Sequence, residues 1–264
     1  MANFDFIDSA SEGYKFVWEK RQDILPLAAL PLVVKIALVS VITMMAMGDN
    51  FLRQGLLLIP FYVAEGWFLS VIIRMAIWGD NTRTLQFRGD GLAPEGAIRA
   101  LRAGVIMFTL IKVIGAAVSG LAMDSGLAET MQGKPVAAGD PLMSFVAASG
   151  LLLITIWVFR LLWLYVPVAL GYSVRGYMHA MRGFKSSFQI IALWLLCFVP
   201  IFVALLMGLE FINTTFPQAN VAEGGARGFA QIAISALTTS AELAIDAISA
   251  AAAAFAVHHM MKKA

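Results

Sequence analysis

The chain has 264 residues, of which 60% are hydrophobic and only 14% charged, with mean hydropathy +0.80. A soluble domain carries about a quarter charged residues, so this chain is too apolar to keep a folded surface wet. Its net charge of +2 is spread along the sequence and leaves no footprint for nucleic acid, and its single cysteine, Cys197, excludes an intramolecular disulfide or a cysteine-based metal site.

The N-terminal segment, MANFDFIDSASEGYKF, has Asp5, Asp8 and Glu12 where a signal peptide needs basic residues ahead of an apolar core. The first span is therefore expected to stay as an anchor. A helix needs about 20 apolar residues to cross the hydrocarbon. Six stretches meet this: Ile24–Met47, Leu56–Trp78, Leu101–Met123, Leu142–Tyr172, Phe188–Phe211 and Phe229–Val257. The expected fold is all-α, a polytopic transmembrane bundle of about six spans. Residues 1–23 read as an amphipathic segment, 24–257 as the bundle and 258–264 as a basic tail. The fourth stretch is long enough to tilt or to run on into an interfacial helix. Met47–Asn50 reads as a tight polar turn, Gly79–Gly96 as a glycine-rich loop with Pro94 placed to start a helix, and Thr130–Pro141 and Asn213–Gly228 as larger loops.

Lysine and arginine in the connections set the expected orientation. On one side stand Lys15, Lys20, Arg21, Arg83, Arg88, Arg99, Arg102, Arg175, Arg182, Lys185, Lys262 and Lys263. The other side has only Arg53, Lys134 and Arg227. Both termini are therefore expected in the cytoplasm.

Three segments precede the odd-numbered spans: Ser11–Gln22, Ala93–Gly104 and Ser173–Ser187. In the first and third, Tyr14, Phe16 and Trp18, and Tyr177, Met178, Met181 and Phe184, lie among basic residues, as in a helix at a bilayer surface. Lys15, Lys20, Arg21, Arg175, Arg182 and Lys185 are the candidate contacts to anionic headgroups. Repeated three times, the arrangement reads as a threefold hairpin repeat. Loops that merely collect basic and aromatic residues would look the same.

A basic interfacial helix followed by LPLAALPLVV (Leu25–Val34), six spans, and an alanine-rich last span with a short basic tail resembles an uncharacterised class of bacterial six-span proteins. That class includes the membrane domain fused to some glycerophosphodiester phosphodiesterases. The resemblance implies a bacterial inner-membrane protein connected with lipid or envelope homeostasis. The phosphodiesterase catalytic domain has no counterpart here, so no active-site residue carries over.

Ionisable residues inside a membrane are costly and face protein or water. Lys35, Glu65, Lys112, Arg160, Glu242 and Asp246 lie near the middle of their spans, three basic and three acidic. Arg74 and Glu210 lie nearer the ends, where long side chains reach the headgroups. In the last span, Gln231, Ser235, Thr238, Glu242, Asp246 and Ser249 share one helical face. Glu242 and Asp246, one turn apart, repel when both are ionised. At least one therefore needs a proton unless a cation sits between them, and Lys35, Lys112, Arg160, a bound metal or a substrate amine could be that cation. Glu242, Asp246 and Glu65 are the ion or proton relay candidates. The opposite reading is a central helix whose hydroxyls bond its neighbours and whose Ala250–Ala254 run permits close approach. His258 and His259 lack a further spaced ligand for a metal. His179 reads as a headgroup contact, and Pro26, Pro31, Pro167 and Pro200 as kinks or starts.

No HExxH, GxSxG or phosphate-loop motif occurs, so neither catalysis nor a cofactor is expected. The sequence favours an accessory or scaffold protein, packing against another membrane protein or itself and meeting anionic lipid headgroups. The alternative is a small secondary transporter or ion-coupled channel using the polar stripe. A lipid-modifying enzyme with Glu242 or Asp246 as base ranks third, because those carboxylates lie deeper than headgroups.

Overall fold

The computed structural model describes residues 4–45, 51–79, 94–124, 159–215 and 225–263. Among these, every regular element is helical: α1 (Phe6–Glu19), α2 (Arg21–Met44), α3 (Phe51–Leu57), α4 (Ile59–Trp78), α5 (Pro94–Asp124), a 3₁₀ turn (Arg160–Trp163), α6 (Tyr165–Leu170), α7 (Val174–Ala180), α8 (Phe184–Thr215) and α9 (Gly225–Lys263). Among the described residues, five helices are long and apolar enough to cross a membrane: α2, α4, α5, α8 and α9. The described residues are thus all-helical, with the long apolar helices of a membrane protein. Most of the expected fourth span lies outside the described residues. So do the turn at Met47–Asn50, the loop at Thr130–Pro141, most of the other two loops, and Arg83, Arg88 and Lys134.

Local chemistry sets the helix ends. The Asp5 side chain accepts from the backbone N–H of Ile7 (2.8 Å) and Asp8 (3.2 Å), capping α1. Pro60 lies in the first turn of α4, where a missing N–H costs nothing. Gly79 closes α4 and Gly171 closes α6, at φ of 63° and 85°, conformations that other residues rarely adopt. Pro94 opens α5, which runs unbroken into the third span. The three basic segments therefore take different forms. The first is a separate helix, the second is the first turns of α5, and the third is a short helix capped by Ser173 and joined to α8 through Gly183. Likewise the expected C-terminal tail is the last turns of α9. Pro26 and Pro31 sit inside α2 and Pro200 inside α8, and both helices continue past them.

The two least apolar spans are the most buried. α4 and α9 have mean hydropathy 1.4 and 1.5, and 67% of each span window is buried. α2, α5 and α8, at 2.3, 1.9 and 2.9, are only 11–17% buried. In hydrocarbon nothing outside the bundle solvates a polar group, so polar helices turn inward and the most apolar ones face lipid.

α9 packs most extensively against α1. Ser9, Ala10 and Gly13 form the buried face of α1, and a Cβ on Gly13 would lie 2.8 Å from Ala252 Cβ. Ala250–Ala254 are all buried. Phe16 meets Phe255 edge to face, and Tyr14 donates to the carbonyls of Cys197 (3.0 Å) and Leu196 (3.2 Å) on α8. Burial holds the Tyr14 phenol above its ordinary range, with Cys197 adding to the effect, so it stays a donor. α1 is therefore docked on α8 and α9 through Tyr14 and Phe16. Its outer face keeps Lys15, Trp18 and Glu19 exposed. A second close approach brings α5 onto α6: a Cβ on Gly104 would lie 2.7 Å from Ala169 Cβ and 2.9 Å from Ser70 Oγ.

Gly13→Val and Gly104→Val should each cost ~1–3 kcal/mol through overpacking, and Gly13→Val should expose α1 to protease. Gly115→Val, where a Cβ meets nothing within 4 Å, should leave stability within ~0.5 kcal/mol. Thermal unfolding in detergent, with limited proteolysis, measures both.

Candidate functional site

Three helices bring charge to one place. Glu65 on α4 is buried, at 2% exposure. Lys112 on α5 places Nζ 3.4 Å from Glu65 Oε1 and lies over the Phe108 ring at 5.2 Å. Asp246 on α9 brings its carboxyl against that of Glu65, with Lys112 close to both. Glu65 Oε2 has no hydrogen-bond donor among the described residues. Two carboxylates and one ammonium carry one excess negative charge. In a low-dielectric interior that excess calls for a proton or a cation.

Lys112 and Asp246 also line a cavity of about 400 Å³, walled by Tyr62, Trp163, Trp194 and Phe108, with Ser249 at its edge. Tyr165, a buried residue of the same wall, stacks on Trp163 and meets Phe108 edge to face. Local spacing explains part of this grouping. Tyr62 precedes Glu65 by three residues and Phe108 precedes Lys112 by four, so each ring shares a face with its charge.

The polar stripe of α9 divides. Glu242 does not join Asp246 in the cavity but pairs with Lys35 of α2, whose ammonium also lies 4.9 Å from the Phe61 ring centre. That pair is peripheral, with the Glu242 side chain 54% exposed. Two carboxylates one turn apart thus avoid repulsion by taking different lysines. Thr238 donates back to Ile234 (2.9 Å) and Ser235 (3.1 Å) within its own helix. The Gln231 side chain lies outside the described residues, Ser235 is half-buried and Ser249 is buried.

Arg160 does not line the cavity. Its guanidinium donates to the Met181 carbonyl at 3.1 Å, and Tyr177 donates to the Arg160 carbonyl at 3.3 Å. Burial raises the Tyr177 phenol well above its usual range, with Arg160 opposing. Arg160 thereby ties the turn before α6 to the end of α7. Arg74 departs from expectation more sharply. Near the end of its span it reads as a side chain reaching the headgroups, yet it is fully buried and donates to the Ala169 carbonyl at 3.0 Å. The reason is α6, which covers that end of α4. His258 accepts or donates at 2.6 Å to the Tyr172 hydroxyl and packs edge-on against Trp78. Among the described residues, no three His, Cys, Asp or Glu side chains group as metal ligands. Lys15, Lys20, Arg21, Arg175, Arg182 and Lys185 are all exposed, as a headgroup contact requires. No protein-family model, curated protein or solved structure matches the chain.

Lys112→Met leaves the Glu65 and Asp246 carboxyls facing each other without their ammonium. It should cost ~3 kcal/mol, the low end for breaking a buried pair, because Lys112 is partly exposed. Adding Glu65→Gln should recover most of that loss, a coupling that unfolding of the single and double variants reads directly. Lys35→Met should likewise be offset by Glu242→Gln, because those two side chains form a pair of their own. Additive losses at Glu65 and Lys112 would contradict the pairing.

Proposed function

We propose that the protein is a small ion-coupled membrane transporter or channel whose coupling site is Glu65, Lys112 and Asp246. The observation that carries this reading is the carboxyl pair and single lysine meeting at the wall of a cavity within the spans. A packed, dry α9 would favour a purely structural role, and the part of α9 near Asp246 is instead open to that cavity. A proton or small monovalent cation bound there would neutralise the excess charge. Its release would leave Lys112 to hold the two carboxylates. Asp246, rather than Glu242, is the α9 carboxyl in this scheme.

The alanine run of α9 supports the transport reading indirectly. As a surface for a partner protein it would have to be open, and α1 of the same chain covers it. An accessory or scaffold role without transport is the second reading. It is favoured by the way both lysine–glutamate pairs join different helices, α2 to α9 and α4 to α5, as registering contacts would. The lysine and arginine distribution supports cytoplasmic termini, and the layout's resemblance to bacterial six-span proteins supports an inner-membrane location near lipid or envelope homeostasis. Catalysis forms no part of either reading.

Reconstituted into liposomes with an internal pH-sensitive dye, the wild type should dissipate a proton or monovalent-cation gradient. Glu65→Gln and Asp246→Asn should each lower the rate at least about tenfold, equivalent to ~1.4 kcal/mol of barrier. The double change Lys35→Met with Glu242→Gln should keep most of it. Wild-type liposomes that hold H⁺, Na⁺ and K⁺ gradients like empty ones would leave the structural role.

A further inference from the structure

We propose that the opening turns of α5 form a binding site for one anionic phospholipid, with its phosphodiester held by Arg99 and Arg102. The two arginines are one turn apart and both exposed. Neither guanidinium makes a hydrogen bond or ion pair with a described residue, Glu95 beside them included. Arginines that share a helix face, with no partner among the described residues, present the planar donor fork that phosphate takes in bidentate fashion.

Two apolar grooves meet at Arg102, and Arg99 lines the first of them. One, of about 430 Å³, runs along α5 past Ile98. The other, of about 680 Å³, lies between α2, α4 and α5 beneath Leu30, Val63 and Trp67. Both include Arg102 and Ile106, and Ile106 is 61% exposed between them. One charged head from which two apolar channels diverge is the shape of a diacyl lipid. A free phosphate would have no use for the grooves, and a protein segment would have to satisfy its backbone there. Depth agrees with a lipid. Arg102 stands ten residues from Lys112 along α5, about 15 Å of helix, or half the hydrocarbon thickness. With Lys112 inside the bundle, Arg102 reaches the headgroup layer, where its aliphatic stem covers apolar surface and its charge meets phosphate. This site is separate from the cavity at Asp246 and stands or falls without it.

The test is native mass spectrometry of the delipidated full chain, titrated with dioleoyl phosphatidylglycerol or with dioleoyl phosphatidylcholine, which has the same chains and no net charge. One phosphatidylglycerol should be retained at about tenfold higher occupancy than phosphatidylcholine. Arg99→Gln with Arg102→Gln should erase that preference, while Arg175→Gln with Arg182→Gln should keep it. Ile106→Ser, with both arginines in place, should weaken retention of both lipids, which guards against a misfolded arginine variant. Equal retention of the two lipids by the wild type would overturn the site. So would an unchanged preference in the Arg99/Arg102 variant, or displacement of the lipid by glycerol phosphate at equal concentration.

Discussion

The cost of charge in hydrocarbon organises this molecule. Glu65, Arg74 and Asp246 cannot face lipid, so the helices that carry them, α4 and α9, become the centre, and the more apolar α2, α5 and α8 become the wall. Lys112 enters from that wall to meet Glu65 at 3.4 Å. The interior then holds two carboxyls for one ammonium. Structural pairing alone needs one carboxyl for one lysine, and α9 shows that arrangement at Glu242 and Lys35. The extra carboxyl at Asp246 sets the inner site apart and ties the fold's central constraint to the proposed activity.

Small residues do the complementary work. Where charge is absent, the bundle is held by close backbone approach, at Gly13 on Ala252 and Gly104 on Ala169. Without water between helices there is little hydrophobic force to join them, so shape fit and hydrogen bonds replace it. The Tyr14 hydroxyl on the α8 carbonyls and the Arg74 guanidinium on the Ala169 carbonyl are bonds of that kind. They fasten α1 and α6, the two short helices that complete the burial of α9 and α4.

Five long apolar helices were legible in the sequence, because apolar length marks them directly. Five of the six mid-depth charges do fall into two groups, Lys35 with Glu242 and Lys112 with Glu65 and Asp246. Which lysine takes which carboxylate was not legible. A span apolar on all sides has no periodic pattern to show its inward face, so rotation about the helix axis stays hidden. Arg74 was misread for a related reason: its distance from the helix end was visible, but the cover supplied by α6 was not. α1 read as a surface helix from its lysines and aromatics. The signal for docking was present in Gly13 and the Ala250–Ala254 run, small residues far apart in sequence that only the fold brings together. The aromatic wall at Trp163 and Trp194 had no sequence signal beyond aromatics lying near charges.

Whether water reaches Asp246 is the most direct question. In a Cys197→Ser background, single cysteines at positions 246, 249 and 251 can be treated in membranes with a charged, membrane-impermeant methanethiosulfonate. A water-accessible ion site requires fast modification at 246 and 249, which line the cavity, and none at 251, which is fully buried. Protection at 246 equal to that at 251 would mean a dry core and would contradict the ion site.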